Sequence, residues 1–423
     1  MTTSAIQPRV FTRYQAFIIA MLAILQFTVV LDFMVLSPLG VLLLDKLQIN
    51  TSQFGLVVSA YAFSAGASGL LAAGFADRFD RKKMLLFFYV GFITGTLLCA
   101  TAPNYHFLLI ARIVTGLFGG VISSISFAII TDLFKMEVRG RVMGFVQMAF
   151  AVSQVMGIPV GLLLANHFGW HAPFWMIAGF GALVGILIAV YMRPVNAHLA
   201  VKSDLNPLVH LLKTLSQPNY LLAFGATTLM STGGFMLMPF ASTFSTHNLG
   251  ITMDQLTLLY GITGVFSMIF GPLTGKLSDR IGKFQVFCLG SIVTIITIAI
   301  YTNLGLTPFA WVVAINVFMF LGVSSRMIGG QALMTAVPEM RDRGAFMSIN
   351  SSVQQISGGI GSAVAGILVV QTSSGALQHY DRLGYVAIAA TLITISFMYF
   401  VNKMVSAQPQ KAPAKIVEVP AEV

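Results

Sequence analysis

The sequence predicts an all-α membrane protein, with twelve transmembrane helices arranged as two pseudo-symmetric six-helix bundles. Three observations predict it. Of the 423 residues, 57% are hydrophobic and 9% charged, and the mean hydropathy is +0.85, whereas about a quarter of a soluble domain is charged. A hydrocarbon core of ~30 Å needs ~20 apolar residues per helix, so a chain of this length has room for about a dozen spans joined by short loops. Finally, a charged clasp, Gly74-Phe75-Ala76-Asp77-Arg78-Phe79-Asp80-Arg81-Lys82-Lys83, returns about 200 residues later as Gly275-Lys276-Leu277-Ser278-Asp279-Arg280-Ile281-Gly282-Lys283. Each copy joins two apolar runs, and two copies imply two halves.

In chain order, a polar tail of residues 1–14 carries Arg9 and Arg13 ahead of the first apolar run. That run is too long for a signal peptide and no small-residue cleavage site follows a short core, so it is expected to stay as the first span. Apolar runs fall at 15–44, 54–74, 84–102, 107–131, 141–166 and 171–192, which make a first bundle of 15–192. A second bundle of 219–402 holds the runs 219–244, 255–275, 285–303, 308–332, 343–370 and 384–402. Residues 193–218, polar and basic with Pro194, Pro207 and Pro218, read as a cytoplasmic linker. The tail 403–423, with Pro409, Pro413 and Pro420, lacks a sustained apolar face and is expected to be a disordered cytoplasmic tail. Cys99 and Cys288 both sit inside apolar runs, so neither a disulfide framework nor a Cys-rich metal site is expected.

A net charge of +10 could point to nucleic acid, but the position of the charges decides otherwise. Of the 24 basic residues, 20 lie in the two tails, in the linker or in alternate loops near 77–83, 135–141, 276–283 and 341–343. The intervening loops hold only Lys46 and Arg382. This alternation follows the positive-inside rule, which places both termini in the cytoplasm and requires an even number of spans.

The register between the halves is kept beyond the clasp. Pro38 precedes Asp77 by 39 residues and Pro239 precedes Asp279 by 40. The clasp resembles the signature loop of the major facilitator superfamily of transporters, roughly G-x-L-x-D-R-x-G-R-[RK]. The second copy matches at nearly every position, and the first departs at Ala73 and Asp80. The resemblance covers 15–402 and implies the major facilitator fold, working by alternating access, with spans one, four, seven and ten around a central cavity. It also implies that Asp77, Arg78, Arg81, Asp279, Arg280 and Lys283 form a conformational clasp that stabilises the outward-open state.

An ionisable group at membrane depth costs ~2.5–3.5 kcal/mol on insertion scales, which makes the acids informative. Thirteen of the 14 acids map to loops, span ends or tails, as do all seven histidines, and Asp32 alone remains. It lies ~25 Å into the first span, while Arg112 enters the fourth from the opposite surface and lies ~8 Å deep. In a core of ~30 Å those depths agree within a helical turn, making the two an expected ion pair. The family's proton-coupled exporters carry an acid in span one and R-x-x-x-G in span four, a pattern similar to Arg112-Ile113-Val114-Thr115-Gly116 here. Asp32 and Arg112 are therefore the proton-coupling candidates. Arg326, nearer the end of its span, is expected to snorkel to the headgroups.

Gly157, Pro159 and Gly161 in the fifth span resemble the glycine-proline motif of the family's antiporters. Glycines allow close helix approach and proline frees a carbonyl, so the segment is expected to pack tightly and act as a hinge. Candidate cavity residues are Phe33, Met34, Phe235 and Met236 beside the sparse polar groups Gln26, Gln147, Gln154, Asn316, Gln331, Asn350 and Gln354. That mixture suits an amphipathic or lipophilic substrate. The reading is a drug/proton antiporter of the plasma (inner) membrane: a monomer that exchanges protons for small molecules, surrounded by lipid, with no cofactor, metal or nucleic-acid partner. Transport of a small metabolite such as a sugar or amino acid is the alternative within transport, and a non-transporting sensor the alternative outside it. An enzyme is disfavoured, because the spans lack clustered acids, metal-ligand sets or Ser/His pairs, and no P-loop is present for direct use of ATP.

Overall fold

The computed structural model describes residues 11–73, 79–134, 136–196, 199, 207–339 and 342–407. Asp77 and Arg78 of the first clasp lie outside them.

The first half begins with α1 (Arg13–Val35), capped by Thr12, whose hydroxyl accepts from the Gln15 N–H while the Gln15 side chain accepts from the Thr12 N–H. This reciprocal cap satisfies donors that a helix start leaves open. Proline lacks an N–H and clashes with the preceding turn; the helix accordingly stops before Pro38 and resumes as α2 (Gly40–Lys46). Then come α3 (Thr51–Ala73), α4 (Arg81–Ala100) and α5 (Tyr105–Leu133). α6 (Met136–Val152) runs through a π turn at Ser153–Gly157 into α7 (Ile158–Phe168), and α8 (Ala172–Tyr191) ends the half. A short helix, α9 (Pro207–Leu215), leads to the second half.

The second half repeats the pattern. α10 (Pro218–Met236) breaks at Pro239 into a 3-10 turn, Met238–Phe240, and continues as α11 (Ala241–His247). After it come α12 (Met253–Ile281), α13 (Lys283–Tyr301), α14 (Phe309–Met334) and α15 (Arg343–Leu368). A two-stranded antiparallel ribbon, β1 (Val370–Gln371) with β2 (Leu377–Gln378), precedes α16 (Tyr380–Ala407).

Among the described residues, ten helical segments are long and apolar enough to cross a membrane. The fifth and eleventh expected spans are not among the ten. The π turn divides the fifth between α6 and α7, and Ser348, Asn350, Gln354 and Gln355 dilute α15.

The two clasps make their turns differently. In the second, Gly282 takes φ +104°, a conformation that L side chains rarely adopt, and leads directly into α13. In the first, Asp80 keeps a negative φ and caps α4, its carboxylate accepting from the Lys83 N–H at 3.0 Å. The departure from glycine at position 80 thus replaces a backbone device with a side-chain cap.

Buried apolar side chains show how the halves meet. At the end away from the clasps, one cluster draws on both halves, including Leu36, Leu39, Phe54, Leu237, Phe240 and Val369. Toward the clasp end the packing divides into one cluster built mainly on each half. The far end is also tied by polar bonds between the broken helices: the Ser37 hydroxyl donates to the Met238 carbonyl, and the Ser242 hydroxyl donates to the Ser37 carbonyl at 3.1 Å. Thr51 donates to the Val369 carbonyl at 2.6 Å beside them. At the clasp end, Tyr220 donates to the Asp342 carboxylate at 3.1 Å, and His210 of α9 approaches the same carboxylate at 3.7 Å.

Candidate functional site

Asp32 on α1 and Arg112 on α5 meet inside the first half. Arg112 Nη1 lies 2.6 Å from Asp32 Oδ2, and both side chains are fully buried. Thr96 of α4 donates to Asp32 Oδ1 at 3.2 Å. The Arg112 guanidinium lies 4.6 Å from the ring centre of Tyr61 on α3, a distance for cation–π attraction. Four helices thus converge on one ion pair, and each partner offsets the desolvation of the other. Proton binding at Asp32 would remove its charge and free Arg112. In this conformation neither side chain reaches solvent, so a proton could reach Asp32 only if the helices part.

The glycines of the fifth expected span lie against this site. A Cβ at Gly157 would come within 2.4 Å of Leu31 Cδ1, and one at Gly161 within 2.6 Å of Val35 Cγ2. The π turn and α7 therefore pack on α1 on either side of Asp32, at a distance that larger residues would forbid. Pro159 enters at the start of α7, where its missing N–H does least harm. Ser153 of the π turn donates to the Phe27 carbonyl at 3.3 Å. A π turn inside a helix often marks a functional position.

The candidate cavity residues divide. Phe33 and Phe235 meet between the halves with ring centres 5.8 Å apart, and Tyr61 lies 5.4 Å from Phe33. Gln26 is half-buried and accepts from Ser123 at 3.0 Å, Gln354 is half-buried and Gln331 exposed. Met34 and Met236 lie elsewhere than expected, in the cluster that joins the halves, because they flank the proline breaks at the closed end. Asn316 is likewise taken up by packing, accepting from Thr263 at 3.0 Å between α12 and α14. Asn350 accepts from Thr227 at 2.6 Å between α10 and α15. The side chains of Gln147 and Gln154 lie outside the described residues.

In the first clasp, Arg81 pairs with Asp132 at 3.1 Å, within the first half. Asp279, Arg280 and Lys283 are exposed, and among the described residues none is in an ion pair. Arg326 differs from the sequence expectation. Only 4% of it is exposed, because glycines 290, 322 and 329 bring α13 close enough to cover it; a Cβ at Gly290 would stand 2.9 Å from the Arg326 N.

Tyr61 and Thr96 are the participants that sequence reasoning missed. Tyr and Thr are ordinary on apolar spans, and only their depth, level with Asp32, marks them. A separate cavity of ≈ 720 Å³ opens between α7 and α12, lined by apolar side chains with Asn166, His167 and Asp254.

The sequence model of the Major Facilitator Superfamily matches residues 22–228 and 223–421. The chain is 27% identical over 369 residues to an uncharacterized MFS-type transporter of Bacillus subtilis (strain 168), YceJ, covering 86% of this chain and 90% of the relative. It is 23% identical over 358 residues to a protein of Helicobacter pylori (strain G27) named "Probable sugar efflux transporter", covering 84% and 87%. A 176-residue match at 29% identity to Multidrug resistance protein 3 of Bacillus subtilis (strain 168) covers 42% of this chain and 34% of that one. Among solved structures, the nucleoside transporter NupG superposes with TM-score 0.72 at 16% identity, covering 90% of this chain and 99% of NupG. A bacterial homolog of the human lysosomal transporter Spinster, inward-facing and occupied, superposes with TM-score 0.67 at 14% identity, covering 94% and 97%.

Proposed function

The chain belongs to the Major Facilitator Superfamily, and from that premise we propose that it exports amphipathic or lipophilic small molecules in exchange for protons. It is a multi-pass membrane transporter and not an enzyme. The observation that carries the finer reading is the buried Asp32–Arg112 pair. Asp32 is the one acid of the sequence with no loop or span end to explain it, and a proton-driven carrier needs such a group. Protonation of Asp32 weakens its pairing and releases substrate outward; deprotonation from the cytoplasmic side restores the pair and the substrate-binding form. The alternation of basic loops supports a cytoplasmic placement of the clasps and both termini. Efflux as the direction is supported by the name of the Helicobacter pylori relative, and a drug-like substrate by the partial match to the Bacillus subtilis protein named for multidrug resistance.

A second reading, export of a sugar or similar metabolite, is favoured by the relatives named for sugar efflux. Against it stands the apolar contact of Phe33 with Phe235 between the halves, beside which, among the described residues, Asn316 and Asn350 are taken up by hydrogen bonds within the second half.

The test is substrate movement in proteoliposomes with a pH step imposed in each direction, over a panel of lipophilic compounds and sugars. Asp32→Asn is expected to abolish accumulation driven by the gradient, a loss of at least tenfold. Wild-type accumulation in that variant would place coupling elsewhere.

A further inference from the structure

Among the spans, the sequence places one acid, Asp32, and two cations, Arg112 and Arg326. Asp32 and Arg112 cancel within the first half, which leaves Arg326 as an uncompensated positive charge in the second. It lies eight residues from the clasp-side end of α14, or ~12 Å at 1.5 Å per residue, on the side where the apolar packing divides between the halves. Its guanidinium carbon stands 6.0 Å from the ring centre of Phe287, at the outer limit of cation–π attraction. Nε and Nη2 are both buried and, among the described residues, without a hydrogen-bond partner. Those two atoms form the side edge of the guanidinium, whose parallel N–H bonds match the two oxygens of a carboxylate. Arg112 leaves the same two atoms unbonded, but its charge is already met by Asp32 at 2.6 Å.

A second orphan lies on a neighbouring helix. Ser231 of α10 is 3% exposed, and its buried hydroxyl has no partner among the described residues. α10 and α14 touch one turn along, where a Cβ at Gly330 would stand 3.0 Å from Met230 Sδ. Buried polar groups are nearly always satisfied, and an unpaired buried cation is costly enough to need a reason. The spans hold no second acid that could supply one.

We propose that Arg326 and Ser231 form an anion subsite in the second half, which takes the carboxylate of an amphipathic organic acid. The guanidinium edge donates two hydrogen bonds to the carboxylate and Ser231 a third, and the apolar part of the molecule lies toward Phe33 and Phe235. This rests on the reading of the space between the halves as the substrate path and deepens it: the transported amphiphiles are anions, not the cations that a net negative cavity would select.

The test is binding to the purified full-length protein in detergent, using 1-naphthaleneacetate and its uncharged amide, 1-naphthaleneacetamide, as a matched pair. Wild type is expected to bind the carboxylate at least tenfold more tightly than the amide. Arg326→Gln should remove that preference, Arg326→Lys should keep part of it because the charge remains without the fork, and Ser231→Ala should weaken it a few-fold. Thermal unfolding without ligand separates this from a structural role: relieved of an unpaired charge, Arg326→Met should melt no lower than wild type. Equal binding of acid and amide by wild type overturns the proposal, as does a preference that survives Arg326→Gln, or an Arg326→Met protein that melts well below wild type. The assay contains no membrane and no proton gradient, so it reads the subsite whether or not proton coupling through Asp32 stands.

Discussion

Asp32 and Arg112 are each fully buried, and each is tolerable there because of the other. Removing one member of such a pair usually costs about 3–5 kcal/mol, whereas replacing both with neutral groups of similar volume costs little. Arg112→Met is therefore expected to destabilise the protein in detergent by that order, and adding Asp32→Asn should recover most of the loss while transport stays absent. Melting curves of the four proteins check this; strictly additive effects would show that the two groups do not feel each other. The pair is legible in the sequence because an acid within an apolar run has so few explanations, and because depth from opposite surfaces puts both residues at one level. Thr96 and Tyr61 are not legible, since a Thr or Tyr on a span is satisfied by its own backbone or by packing without any partner. Arg326 shows the limit of depth as a guide: distance from a span end says that snorkelling is possible, but whether it happens depends on which neighbouring helix comes close, and glycines on α13 and α14 let that helix close over it.

At the scale of elements, the proline breaks in α1–α2 and α10–α11 form a lock between the halves. A break in a membrane helix leaves carbonyls that must be satisfied within protein. Here the satisfaction is partly local, the Gly40 N–H donating to the Ser37 carbonyl at 3.0 Å and the Ala241 N–H to the Met238 carbonyl, and partly across the pseudo-symmetry axis: the Met238 carbonyl, just before Pro239, also accepts from Ser37, and the Ser37 carbonyl, just before Pro38, also accepts from Ser242. Each hydrogen bond contributes on the order of 1 kcal/mol net. The double change Ser37→Ala with Ser242→Ala is expected to loosen this end selectively, read as faster amide hydrogen exchange in α2 and α11 with α4 unchanged. Uniform rates throughout would mean that apolar packing alone holds the closure. The paired prolines and the repeat of the clasp are visible in the sequence as spacing. The bonds between them are not, because a serine beside a proline carries no sign of which half its hydroxyl will reach. The fifth expected span is similarly half-legible: Gly157, Pro159 and Gly161 announce close packing, but the π turn over Ser153–Gly157 depends on how α1 receives those glycines.

For the whole molecule, the buried cluster and serine bonds that join the halves away from the clasps, with α3 and α15 packed together from Thr51 and Val369 as far as Gly69 and Ser352, suit one of the two states that the proposed alternating access requires. In this state Asp279 is exposed and, among the described residues, outside any ion pair, so its loss should cost this conformation little. A clasp that forms only when the halves come together at their clasp ends would lose its contact in Asp279→Asn, and a change felt by one state alone moves the equilibrium by its full free energy, tenfold for each 1.4 kcal/mol. Spin labels on cysteines at Phe87 of α4 and Lys403 of α16, both exposed and on opposite halves, report the separation at that end. With Cys99 and Cys288 replaced by alanine, pulsed distance measurement should show a shorter and a longer population in the wild-type background. Asp279→Asn should deplete the shorter several-fold, while Lys83→Gln, whose side chain flanks the clasp without bridging helix ends, should leave the ratio unchanged. An unaltered distribution in Asp279→Asn would reduce the second clasp to a signal for topology, and the switch between states would then rest on the serine lock at the far end and on the proton at Asp32.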